Sequence, residues 1–99
     1  MNTKEMNNKV YRFRVPIGVL IYAKNRNLNI EDEIKKEVNK RIASEDIGIF
    51  KKIELKSVMK KFIKMIGNEQ DEFCSHVGNF LIRASTNDCY VNFLLSEEK

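Results

Sequence analysis

Cys74, His76 and Cys89 are the side chains best suited to nucleophilic or metal chemistry in this sequence. Cys74 and His76 lie two residues apart. In an extended segment they share a face, as a thiol and its base would. No glycine-rich elbow, oxyanion-donor pattern or orienting acid accompanies them. Structural zinc sites usually take four ligands in close pairs such as C-x-x-C. Here a C-x-H is followed far downstream by a lone Cys. The hairpin register expected from the sequence would turn Cys89 into the core, a common place for a free thiol. The chain has no P-loop, G-x-G-x-x-G, G-x-S-x-G or H-E-x-x-H signature. Glu45-Asp46 and Asp71-Glu72 read as loop solubilisers. The expectation is a protein that is not an enzyme and takes no cofactor or metal.

The stronger chemical signal is cationic. In residues 53–66, Leu55, Val58, Met59, Phe62 and Ile66 recur as one helical stripe. Lys56, Ser57, Lys60, Lys61 and Lys64 fall on the opposite side. Lys56, Lys60 and Lys64 repel mildly at i,i+4 spacing, where helices usually interleave an acid. A face kept positive in this way suits an anionic partner. Arg12 and Arg14 add to it, interleaved with Tyr11 and Phe13 as in strands that stack bases and pair phosphates. Because Val15 continues the Tyr11–Phe13 face, the two rings are expected in the core, with both arginines exposed.

These groups need elements to position them. Lys9 to Val15 alternates with period two and predicts a half-buried strand ended by Pro16. Ile17 to Ala23 is apolar throughout; a second strand is expected, with a short helix started by Pro16 as the alternative. Asn29 is a good N-cap for a helix whose first turn holds Glu31, Asp32 and Glu33 and whose last holds Lys40 and Arg41. Ile30, Ile34, Val38 and Ile42 form its expected buried stripe. Glu31–Lys35, Asp32–Lys36 and Glu37–Arg41 are its i,i+4 pairs. A loop from Ser44 to Phe50 leads to the lysine-faced helix, which stops at Gly67-Asn68. The end of the chain reads as a β-hairpin around Ser85-Thr86-Asn87-Asp88. With Ala84 opposite Cys89, Ile82 meets Val91 and Phe80 meets Phe93, and one face becomes apolar.

Arg12-Phe13-Arg14-Val15-Pro16, followed by apolar residues and a capped helix, resembles the start of a ribbon-helix-helix DNA-binding protein. In that family a strand from each subunit enters the major groove, and the second helix's N-terminus holds a phosphate. Glu31, Asp32 and Glu33 would repel that phosphate, and Pro16 to Asn29 is short for the first helix, so the family is not assigned.

The 99 residues carry a formal charge of +4, are 42% apolar and 32% charged, and contain no membrane-length apolar run. Residues 1–8 read as a solvated tail without a signal-peptide core, and residues 9–96 as one domain. The thiols are then expected reduced, in an intracellular, cytoplasmic protein. The Lys-, Ile- and Asn-rich composition matches A+T-rich coding, as in some viruses and mobile elements. Charge is uneven: residues 51–66 hold six lysines against Glu54, and residues 67–99 two bases against six acids. The expected fold is α+β, a small antiparallel sheet packed against two amphipathic helices. Two functions fit. One is a small binding or regulatory protein that contacts nucleic acid through Lys56, Lys60, Lys61 and Lys64 with Arg12 and Arg14. The other is an inhibitor or accessory factor that docks this basic face on an acidic protein surface. No membrane contact is expected, and a homodimer is compatible with either.

Overall fold

The computed structural model describes residues 9–66 and 72–98. The expected tail, the Gly67-Asn68 stop and Asp71 lie outside them. The fold is α+β. A strand β1 (Val10–Pro16) is followed by three helices, α1 (Ile17–Asn25), α2 (Ile30–Ala43) and α3 (Ile49–Ile66), and then by β2 (Glu72–Val77), β3 (Phe80–Thr86) and β4 (Tyr90–Glu97). The strands form one antiparallel sheet in the order β1-β4-β3-β2.

Alternation in β1 works as expected. Tyr11, Phe13 and Val15 are buried; Arg12 and Arg14 are exposed. Its partner is β4 of the same chain, with Phe13 opposite Phe93. It is therefore not a free ribbon awaiting a second subunit, which removes the ribbon-helix-helix likeness.

The expected second strand at Ile17–Ala23 is a helix. Its uniform apolarity carries no period, so the junctions decide. Pro16 presets the backbone for a helix start, and the Ile17 N–H donates to the Cys89 carbonyl at 2.8 Å. Ala23 is then buried and Leu28 N–H closes back on the Ala23 carbonyl. Asn27, at φ 57, supplies the left-handed residue that turns the chain away.

In α2 the Asn29 side chain accepts from the Asp32 N–H at 3.0 Å, as a cap should. Val38 and Ile42 are buried and Ile34 is half-buried, but Ile30 is exposed, on the wall of an open cleft that Ile63 and Ile66 also line. Glu31–Lys35 (3.0 Å) and Glu37–Arg41 (2.8 Å) pair as expected, whereas Lys36 takes Glu33 instead of Asp32.

The hairpin shows two corrections. Ala84 opposes Phe93 and Ile82 opposes Leu95, and Cys89 is an exposed turn residue rather than a core one. The displaced register is an even shift, so every side chain keeps its face. The Asn87 carboxamide accepts from both Cys89 N–H and Tyr90 N–H at 2.8 Å, and this local turn selects the register. Phe80, Ile82, Ala84, Val91, Phe93 and Leu95 consequently face inward. The fourth strand, β2, has a weaker apolar alternation because Ser75 sits between Phe73 and Val77.

The inner face of the sheet meets α3. Leu55, Met59 and Phe62 are at most 1% exposed, and the Phe62 ring lies 5.5 Å from Phe73 and 6.3 Å from Phe93. Burying such a ring contributes about 1.5–3 kcal/mol. The described core holds no buried polar or charged residue. The other face of the sheet carries Arg12, Arg14, Leu81, Arg83, Tyr90, Asn92 and Leu94 by the same alternation, and they are half-buried or exposed.

Candidate functional site

Helix α3 starts one turn earlier than the apolar stripe suggested, at Ile49. Six lysines lie along it, and they divide by direction. Lys51 and Lys52 turn inward to serve the fold. The Lys51 ammonium donates to Glu54 at 2.9 Å and Glu97 at 2.7 Å, and sits 5.7 Å from the Phe80 ring centroid. The hydrogen bond to Glu97, then that to Glu54, holds its pKa well above the ordinary lysine value. Lys52 donates to the Ala43 carbonyl at 2.7 Å and so caps α2.

Lys56, Lys60, Lys61 and Lys64 are exposed, and none forms an ion pair among the described residues. Among the described acids, Glu97 binds Lys51 and Glu98 lies 3.3 Å from His76. The adjacent helix contrasts. In α2 every basic side chain, Lys35, Lys36, Lys40 and Arg41, has an acidic partner. Around Glu37, burial alone would raise the carboxyl pKa, but hydrogen bonds from Arg41 and Lys40 outweigh it and hold the group below its usual range. Among the described residues, one helix is neutralised and its neighbour is left positive.

Between α2 and α3 runs a groove of about 320 Å³, floored by Val38, Met59 and Ile63 and edged by Lys35, Lys56 and Lys60. Asn39 and Ser57 add a carboxamide and a hydroxyl to its wall. The groove offers cations and hydrogen bonds at the rim with apolar contact beneath.

Arg12 and Arg14 are not part of this surface. Their neighbours Tyr11 and Phe13 point into the core beneath the helices, so both arginines point away from the helical layer. Arg83 and Asn92 stand with them on the open sheet face. The cationic residues named from sequence therefore form two surfaces on opposite sides of the molecule. Arg83 belonged to none of the expected clusters, because its neighbours Arg12 and Arg14 come from a strand some seventy residues away.

Sequence reasoning also missed Ile49, Phe50 and Ile53. They are 65%, 84% and 58% exposed, on the same outward side of α3 as the lysines and one to two turns ahead of them. The signal was available: continuing the helical period backwards from Ser57 and Lys60 places Ile53 and Phe50 on the outer face.

Among the described residues no three of the His, Cys, Asp and Glu side chains are grouped to hold a metal ion. No described helix is long and apolar enough to cross a membrane. Comparison with protein-family models, curated proteins and solved structures finds no match.

Proposed function

We propose that this is a small non-enzymatic binding protein that contacts nucleic acid through the outer face of α3. The observation that carries the reading is the row Lys56, Lys60, Lys61 and Lys64, without acidic partners among the described residues, beside a helix whose bases are all paired. Exposed lysines on one helix face attract phosphates, and each neutralised phosphate releases condensed counterion. The test is a salt titration of duplex binding by the native chain and the K56Q/K60Q/K64Q variant. The variant should fold unchanged, and its log–log salt slope should be smaller by about 0.9 for each phosphate it no longer neutralises. Absence of duplex binding at ~50 mM salt, where phosphate binding is strong, rejects the reading.

A second reading is favoured by Phe50 and its neighbours. Apolar side chains flush with a basic rim are the anatomy of a protein interface, an aromatic anchor within a charged border. In this reading α3 docks on an acidic protein surface that has an apolar recess. Phe50→Ser separates the two, since it leaves duplex affinity unchanged and removes the anchor for a protein partner.

A further inference from the structure

We infer that the open face of the sheet is a second binding surface, built for a single-stranded stretch of nucleic acid. It stands apart from the α3 reading in residues and in position. The register places Leu94 between Arg12 and Arg83, and Asn92 between Arg14 and Ser85. These two cross-strand rows border a groove of about 210 Å³. From strand geometry, the Arg12 and Arg83 backbones lie about 10 Å apart and those of Arg12 and Arg14 about 7 Å.

Arg12, Arg14 and Arg83 form no ion pair among the described residues, so three guanidiniums face one groove uncompensated. Of the described acids on this side, Glu72 stands opposite Ser85 and shares a small cleft with Arg83 without an ion pair to it, and the Glu98 carboxylate lies beside His76, so the Arg12–Arg14 side of the groove is the more positive. Guanidinium is the planar, forked donor that matches phosphate oxygens. The Arg14 guanidinium carbon lies over the Tyr90 ring, 5.4 Å from its centroid, at the end of the groove. Leu94 is half-buried and gives bases an apolar surface to lie on; Asn92 and Ser85 can read base edges.

The shape selects the form of the nucleic acid. A duplex major groove, about 12 Å wide, admits a helix or a two-stranded ribbon. Four strands span roughly 14 Å between their outer axes before side chains are counted, so this face cannot enter it. A single strand can lie flat across the sheet with its bases splayed, phosphates on the arginines and bases on the floor.

The test isolates this face by using the full chain carrying K56Q/K60Q/K64Q, labelled with ¹⁵N and titrated with a short oligothymidylate at ~50 mM salt. The expected result is amide shifts at Arg12, Arg14, Arg83, Asn92 and Leu94. Adding R12Q and R83Q should weaken binding by roughly tenfold or more while the thermal midpoint holds. An unshifted sheet overturns the proposal. So does finding that the same oligothymidylate annealed to oligoadenylate, a mononucleotide or polyglutamate moves the same amides at the same concentration of anionic groups. None of these outcomes bears on the α3 reading, which is tested with its lysines intact and with duplex.

Discussion

Phe50 exposes most of its ring in a chain whose other large apolar side chains mostly pack against the sheet. Its truncation should be nearly free in stability. Phe50→Ser is expected to change the unfolding free energy by no more than about 0.5 kcal/mol, as for other surface sites. Phe62→Ala, one ring inside the core, should cost about 3–5 kcal/mol. Paired urea titrations measure both, and a large loss at Phe50 would mean that the ring is covered. The thiols give a second expectation at this scale. Cys74 and Cys89 are both exposed, so both should react with a thiol reagent in the native protein at rates close to those of the unfolded chain. Replacing them with Ser should leave fold and binding in place. For Cys89 this follows from its place in the turn, where the sequence suggests the core. The reason is local: alternation assigned Cys89 a face, but the Asn87 carboxamide takes it out of the strand altogether.

At the scale of elements, two ion-pair systems behave differently with pH. Glu37 has its pKa depressed in the fold, so its stabilising effect is complete above the ordinary carboxyl range and is lost as pH falls through the lowered value. Glu37→Gln should lower stability at neutral pH and flatten part of the acid limb of a stability–pH curve. Lys51 has its pKa raised, so its contribution is complete below the ordinary lysine value and is lost only as pH rises through the raised one. Across the neutral range it does not vary, and mutation must reveal it. Lys51→Ala, which unties α3 from the end of β4, is expected to cost about 1–2 kcal/mol in the same titrations. The elements themselves differ in how far sequence disclosed them. Asn29 with its acidic first turn, and the alternation of β1, are local signals, and the structure follows both. Ile17–Asn25 has no period to read, and its helix is set by Pro16 and by a bond to Cys89 on a distant turn. The hairpin's inward face was legible from alternation; its register was not, because even shifts preserve that face.

At the scale of the whole molecule, the helical layer separates the two cationic surfaces. The lysine row could be read from one helix alone. The arginine groove could not, since it exists only once β1 lies beside β4 and β4 beside β3. On the two proposals together, the molecule would hold two nucleic-acid segments at once. Immobilised duplex should therefore retain a labelled single strand only when the protein is present. K56Q/K60Q/K64Q should lose the duplex and R12Q/R83Q the single strand, with additive effects because the sites share no partner.

The pairing of β1 with β4 also sets a timetable. Tyr11, Phe13 and Val15 leave the ribosome some eighty residues ahead of β4, the strand that completes their layer. At about 5–20 residues per second this leaves an apolar strand unmatched for roughly 4–16 s. Nascent chains arrested before Tyr90 should be cleaved readily by protease and held by chaperones, and release of β4 should protect the whole sheet in one step.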